Sequence, residues 1–216
     1  YITRYRKIEN KDGEFYQIVL SKSPFYPEGG GQIGDKGLLI PSYTEGFDIA
    51  NPDVFDITNC SDVVEVLETR KENNLIVSLI KDLPKDAGAV FYAKVNASER
   101  KNTQANHSVT HLVHEALREV LGTHVEQKGS FVGPDYLRFD FSHFQKMTRE
   151  EIREVEKIAN RRILANYPLH EMRETPIAEA QAMGAMALFG EKYGETVRVI
   201  QFGNSVELCG GTHVHA

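Results

Sequence analysis

His107-Ser108-Val109-Thr110-His111 sets two imidazoles at i and i+4, and Cys209-Gly210-Gly211-Thr212-His213 sets a thiol and an imidazole at the same spacing. Side chains four apart meet on one face of a helix, and His and Cys are the donors that zinc prefers. If the four act together, the fold must bring residues roughly a hundred positions apart to within a few ångströms of each other. Helical geometry sharpens the reading. At about 100° per residue, Val109, Leu112, Val113, Ala116, Leu117 and Val120 form one apolar stripe. His107 and His111 fall on the opposite face, with His114 and Arg118. A histidine that only packs in a core belongs within the stripe, so His107, His111, Cys209 and His213 are read as metal ligands rather than as packing or solvated residues. Four protein ligands would close a zinc site, whereas three would leave a position for water or substrate, and the sequence leaves both open. A zinc peptidase of the H-E-x-x-H type is excluded, because Ser108 stands where its general base would be.

Composition narrows the classes further. The chain has 216 residues, 41% hydrophobic and 26% charged, with 25 Lys+Arg against 31 Asp+Glu and a net charge of −6. That excludes a wholly basic nucleic-acid coat but leaves room for a local basic patch. Cys60 and Cys209 are too few for a disulfide-stapled secreted scaffold, and Cys60, in a loop-like stretch, is read as inert. No apolar run approaches the roughly 20 residues of a membrane helix. The start, on Tyr1, does not resemble a signal peptide. The expectation is a cytosolic, cytoplasmic protein that is an excised piece of a longer one.

The organisation changes once along the chain. Six β-rich stretches (3–8, 15–20, 37–40, 63–67, 75–79 and 89–95) alternate with turn signals such as Lys11-Asp12-Gly13 and Asn73-Asn74. They predict a small β-barrel or sandwich over 1–95, with 41–62, containing Pro41, Gly46 and Pro52, as a long excursion. From Asn96 the pattern is α+β, and 96–216 is read as a second domain. Asn96-Ala97-Ser98-Glu99 caps a helix that runs to about Leu121, ahead of Gly122. Strands are expected near 123–132 and 136–141. Thr148-Arg149-Glu150-Glu151 is a full capping box for a second helix ending before Pro168. Thr175-Pro176 opens a third, with Pro at its first position, and a strand follows at 196–202. The predicted class is therefore α+β: an N-terminal small β-barrel followed by an α+β, zinc-binding domain.

Ser23-Pro24-Phe25-Tyr26-Pro27-Glu28-Gly29-Gly30-Gly31-Gln32 is the other unusual stretch. It formally satisfies a dinucleotide fingerprint but is followed by turn and strand rather than a helix, and there is no P-loop. Two readings stay open: a tight glycine turn between strands, or a backbone that lets a bulky ligand such as a nucleotide terminus approach closely.

His107–His111, residues 121–130, 137–143, 184–194 and 207–213, together with the glycine-rich 23–37, resemble the editing region of alanyl-tRNA synthetases. Free-standing AlaX proteins and the editing domain of threonyl-tRNA synthetases share the two metal half-motifs. The resemblance implies a β-barrel joined to an α+β editing domain with bound Zn2+, hydrolysing Ser-tRNA(Ala) and Gly-tRNA(Ala). Its partners would be the 3′ end and acceptor stem of tRNA(Ala) and the remaining domains of a synthetase that ligates alanine using ATP. The chain alone is not expected to aminoacylate. An AlaX-type trans-editing protein and a non-catalytic tRNA-binding module with structural zinc are the alternatives.

The chemistry explains such a site. Discriminating glycine from alanine by packing is worth only about 1–3 kcal/mol, and serine merely adds a hydroxyl. A second, hydrolytic site that accepts serine and refuses alanine needs polar groups left unpaired when alanine binds. Thr110, between the two histidines, is a candidate, as are Gln127 and Ser130, which the resemblance places in the editing pocket. Ser23, Gly29, Gly30, Gly31 and Gln32 are candidates for holding the nucleotide end, with Tyr26 stacking on a base. Lys128 and Arg138, with Arg100-Lys101, Arg118 and Arg161-Arg162, are candidates for facing phosphate. Asp140, a further candidate for this tRNA-facing surface, alternates with Arg138 on one strand face and is expected to pair with it. His114 is left as a structural or RNA-contacting residue.

Overall fold

The computed structural model describes residues 1–48, 50, 60, 62–187 and 193–216. Pro52 and residues 188–192 of the 184–194 stretch lie outside the described residues. Two compact units are formed, one from Tyr1–Gly29 and Ile33–Arg100, the other from Gly30–Gln32 and Lys101–Ala216.

In the first unit, β1 (Ile2–Asn10), β2 (Gly13–Leu20), β3 (Gly37–Pro41), β4 (Val64–Glu72), β5 (Leu75–Ile80) and β6 (Phe91–Val95) build one antiparallel sheet in the order β1-β2-β5-β4-β3-β6. Turn chemistry sets the register. Glu72 pairs with Leu75 across Asn73-Asn74, both at positive φ (47° and 63°), as a two-residue hairpin of type I′ requires. Ile2, Ile18, Phe25, Leu39, Val66 and Ile80 form the buried core.

The closed barrel expected from the six strands is not what the pairing shows. Among the described residues β1 pairs only with β2 and β6 only with β3. Closure would require every strand to have two partners and an inward face. Strand β1 is exposed at Thr3, Arg4, Tyr5, Arg6 and Lys7, the charged, two-sided-polar pattern of a sheet edge.

The turn after the glycine run is held by a buried carboxylate. Asp35 is 8% exposed. It accepts from the Tyr26 amide (2.5 Å) and from Arg100 Nε (2.8 Å), while Arg100 Nη2 reaches the Pro24 carbonyl (3.2 Å). Arg100 is thus engaged within its own unit rather than presented to phosphate. At Gly34 a Cβ would run into the Thr69 carbonyl, and at Gly37 into that of Lys94. These glycines exist for close backbone approach.

The second unit takes most of α1 (Ala97–Leu121), then β7 (Gln127–Val132), β8 (Leu137–Phe141), α2 (Arg149–Ala165), β9 (His170–Pro176), α3 (Ile177–Ala182), β10 (Thr196–Phe202) and β11 (Ser205–Leu208). Strands β7 and β8 pair as a hairpin, and β9, β10 and β11 form an antiparallel sheet in the order β11-β10-β9. The Asn96 side chain caps α1 through the Glu99 amide (3.2 Å), with Glu99 bonded back. Thr148 and Glu151 form the capping box of α2. Pro176 is the N-cap of α3 rather than its first residue, so the helix starts at Ile177, one position later than expected. Strand β9 escapes sequence reading because His-Glu-Met-Arg-Glu-Thr-Pro lacks both β-branched density and alternation. It is a strand because β10 pairs with it. No helix among the described residues is long and apolar enough to cross a membrane.

Helix α1 is buried on more than one side. Ala116 and Leu117 join Val125, ahead of β7, and Val155 and Ile158 of α2, whereas Leu112 packs with Ile200 and Phe202 of β10. Gly34→Ala is expected to destabilise the first unit by about 1–3 kcal/mol, because the obstructing atom is backbone and cannot rotate away. Urea unfolding of this variant beside the wild-type chain measures the effect.

Candidate metal centre

The face of α1 opposite the apolar stripe is not solvated. His107, His111 and His114 are 5%, 3% and 5% exposed. They face the segment that follows β11, where Cys209 and His213 lie on either side of Gly210-Gly211-Thr212. One donor atom from each of His107, His111, Cys209 and His213 lies within 4.8 Å of the others. Cys209 Sγ is 3.4 Å from His107 Nε2 and 3.3 Å from His213 Nε2. Burial, then the neighbouring imidazoles, pushes His107 down to about 3 and lowers His213, and burial lowers His111 against the opposing pull of Glu207, so all three stand as neutral bases. A neutral imidazole is the form that ligates metal. Nδ1 of His111 is buried with no hydrogen-bond partner, an open valence of the kind an ion satisfies. The group could hold a metal ion, and a donor set of imidazole nitrogens with one thiol sulfur suits a borderline-soft divalent cation.

Outer partners shape each half of the group. Gln32, fully buried, accepts the Thr212 amide through Oε1 (2.9 Å) and donates to Thr212 Oγ1 (2.9 Å). The same oxygen lies 2.7 Å from His107 Nδ1. Ser108 Oγ is 3.2 Å from His213 Nδ1 and accepts the Val214 amide at 3.2 Å. Glu207, 5% exposed, meets His114 Nδ1 at 3.0 Å and His111 Nε2 at 3.7 Å. His114, which also packs on the Phe139 ring, is therefore a buried structural residue, not an RNA contact. At Gly211 any Cβ would strike the His107 ring. Arg198 of β10 donates to the carbonyls of Cys209 (2.9 Å) and Gly211 (2.6 Å) and is itself held by Glu171 (2.6 Å).

The other residues singled out from sequence divide. Gln127 Nε2 donates to Ser130 Oγ (3.1 Å), and Ser130 Oγ reaches the Gly30 carbonyl (3.5 Å). The Gly31 carbonyl accepts from Val132 (2.8 Å), and Gln32 bridges to Val132, so Gln127, Ser130, Gly30, Gly31 and Gln32 are brought together. Thr110 is 4% exposed and donates to the Asn106 carbonyl one turn back (2.8 Å). Ser23, Tyr26 and Gly29 belong to the first unit. There Ser23 Oγ accepts from the Phe25 amide and the Tyr26 hydroxyl donates to the Gly29 carbonyl (3.0 Å). Lys128 pairs with Glu126 (2.9 Å), and Arg138 with Asp140 (3.0 Å), all on exposed side chains. Arg118 donates to the Val125 carbonyl, and Arg162 is drawn to Glu115 and Glu119 with 11% of its side chain exposed, so neither is set out for phosphate.

Sequence reasoning did not single out Arg198 or Glu207. Glu207 carried a signal, an acid two residues from a candidate ligand cysteine, whereas nothing in the order of residues marks Arg198. Hydrogen bonds from Arg173, then Arg198, hold the Glu171 carboxyl down at about 2, against an ordinary 4.5. A depressed acid stabilises the fold above its unfolded pKa and loses that contribution as pH falls through the folded one. The stability difference between the wild-type chain and Glu171→Gln should accordingly be constant above about pH 5 and shrink between 4.5 and about 2. Denaturant unfolding of both chains across that range is the check.

The family described as threonyl and alanyl tRNA synthetase second additional domain matches residues 197–216, which include Cys209 and His213. Over 215 residues, 100% of this chain, it is 57% identical to an alanine–tRNA ligase of Parabacteroides distasonis, of which it covers 23%. It is 55% identical to that of Porphyromonas gingivalis (99% of this chain, 22% of the relative) and 49% identical to that of Cytophaga hutchinsonii (99% and 22%). The chain spans less than a quarter of the length of these curated relatives. It is thus similar, along its whole length, to one segment of these alanine–tRNA ligases.

Proposed function

We propose that this chain is the editing segment of an alanine–tRNA ligase and hydrolyses the ester of mischarged Ser-tRNA(Ala) and Gly-tRNA(Ala). The observation that carries the reading is the buried group of His107, His111, Cys209 and His213, in a chain similar over its full length to those ligases. These four residues would hold Zn2+. When bound, the ion would supply polarisation of a water or a hold on the substrate's amino group.

The chain's own residues have the remaining work. An aminoacyl ester is already activated, so orientation is the main requirement, with the vicinal ribose hydroxyl of the substrate as the expected proton carrier. Gln127 and Ser130 form a hydrogen-bonded amide–hydroxyl pair beside Gly30. A serine hydroxyl can join that pair, whereas an alanine methyl would leave polar groups desolvated without a partner, costing about 1–3 kcal/mol. Thr110 keeps acceptor capacity after donating to Asn106. The glycine run, with Ser23 and Tyr26, would receive the 3′ end of tRNA. Lys128 and Arg138 would face its acceptor stem: exposed ion pairs such as theirs are worth about 0–1 kcal/mol, so exchange for phosphate is cheap. The remaining domains of the ligase would deliver the tRNA, and the cytoplasm is the setting such an activity calls for. In the longer protein, ATP-dependent ligation of alanine would belong to those other domains.

One observation favours a second reading. Four protein donors complete a tetrahedral zinc shell, as in closed structural sites, and a non-catalytic tRNA-binding module would need no more. Hydrolysis of Ser-tRNA(Ala) and Ala-tRNA(Ala) by this chain separates the two. Selective loss of serine, falling to the background rate in Cys209→Ala and after zinc removal, is the expected result. A folded, zinc-loaded chain that binds the tRNA and leaves both esters intact would establish the binding module.

A further inference from the structure

The side chain of Gln32 is completely buried, and its surroundings fix the hydrogen positions around it. A backbone N–H can only donate, so the Gln32 atom 2.9 Å from the Thr212 amide is the side-chain oxygen. That oxygen is also 2.7 Å from Nδ1 of His107. Two acceptors do not bond, so Nδ1 carries the hydrogen. In the neutral ring Nε2 is then bare, and it is Nε2 that faces Cys209 Sγ. Gln32 Nε2 completes the arrangement by donating to Thr212 Oγ1.

Ser108 repeats the pattern on the other side. Its hydroxyl hydrogen goes to the Gln104 carbonyl (2.9 Å) and its oxygen accepts from the Val214 amide, so its contact with His213 is one in which Nδ1 donates. His213 too is left with a bare Nε2 toward Cys209. Gly31 makes the Gln32 placement attainable. It sits at φ +82°, where a side chain would be strained, and a Cβ there would collide with Ser130.

We propose that Gln32 is a positioning residue of the metal centre. It holds His107 in the tautomer whose Nε2 lone pair is free for the ion and ties that ring to the loop carrying Cys209 and His213, with Ser108 doing the same for His213. The glycine-rich segment thereby serves the metal site as well as any nucleotide end. The inference rests on the metal-centre reading, and its test separates the two. Partners on the second nitrogen of a ligating histidine typically change metal affinity 10–100-fold.

The experiment is zinc binding to the whole 216-residue chain by chelator competition, with Co2+ spectra reporting the thiolate bond. Gln32→Met keeps length without an acceptor and should lower zinc affinity about 10–100-fold. Ser108→Ala should lower it in the same direction, and Gln32→Glu, which keeps the acceptor, should restore it to near wild type. Wild-type affinity in folded Gln32→Met would overturn the proposal while leaving the metal centre standing. A wild-type chain that takes up neither zinc nor cobalt would overturn both. Long-range 1H–15N NMR of the zinc-loaded wild type needs no variant: a hydrogen on Nδ1 of His107 is expected, and a hydrogen on Nε2 would overturn the assignment.

Discussion

Three imidazoles and a thiol lie within 4.8 Å of one another in the interior of the second unit, and much of that unit is arranged around the electrostatic consequence. Charged imidazoles in such proximity would repel and would be poorly solvated, so burial keeps them neutral. Neutral rings then need every ring nitrogen assigned, because a buried polar atom without a partner costs about 1–3 kcal/mol. Gln32 and Ser108 satisfy two of the rings, and Glu207 stands near the third. Nε2 of His107 and of His213 both face the Cys209 sulfur, and Nδ1 of His111 is buried with no hydrogen-bond partner.

Holding these donors requires backbone to come unusually close to side chains, which explains where the glycines fall. Gly211 leaves room for the His107 ring, and Gly31 leaves room for Ser130. Arg198 fixes the carbonyls on both sides of Gly210, replacing the rigidity that glycines lack. The loop after β11 is therefore flexible in composition but constrained in fact, held by a charged side chain whose own position depends on Glu171.

Much of the architecture is legible along the chain. Asn73-Asn74 announces a two-residue turn, Asn96 and Thr148 announce helix starts, and the i, i+4 donor pairs announce a His/Cys group that could hold a metal ion. Each is a local rule in which neighbouring residues supply both signal and cause. From the stripe on α1 the histidines read as ligands, but the face they occupy is buried, which periodicity alone does not reveal. The six strands are likewise readable, yet their closure is not. Whether β1 meets β6 depends on tilt and on which faces are covered, properties of the assembled sheet. Strand β9 exists only because β10 offers it a ladder.

Sequence alone determined the donor set, the helix that carries half of it, the cap residues and the likeness to the synthetases, since all of these are written in residue identity and short spacing. Tertiary structure decided which side chains surround the donors. Gln32 reads as part of a ligand-facing glycine run but lies buried against His107 and Thr212, and Arg198 reads as an ordinary strand residue but holds the Cys209 loop. The physical reason is that hydrogen-bond partners separated by tens to hundreds of positions leave no periodic trace. Only packing brings Gln32 to a ring 75 residues away and to a loop 180 residues away.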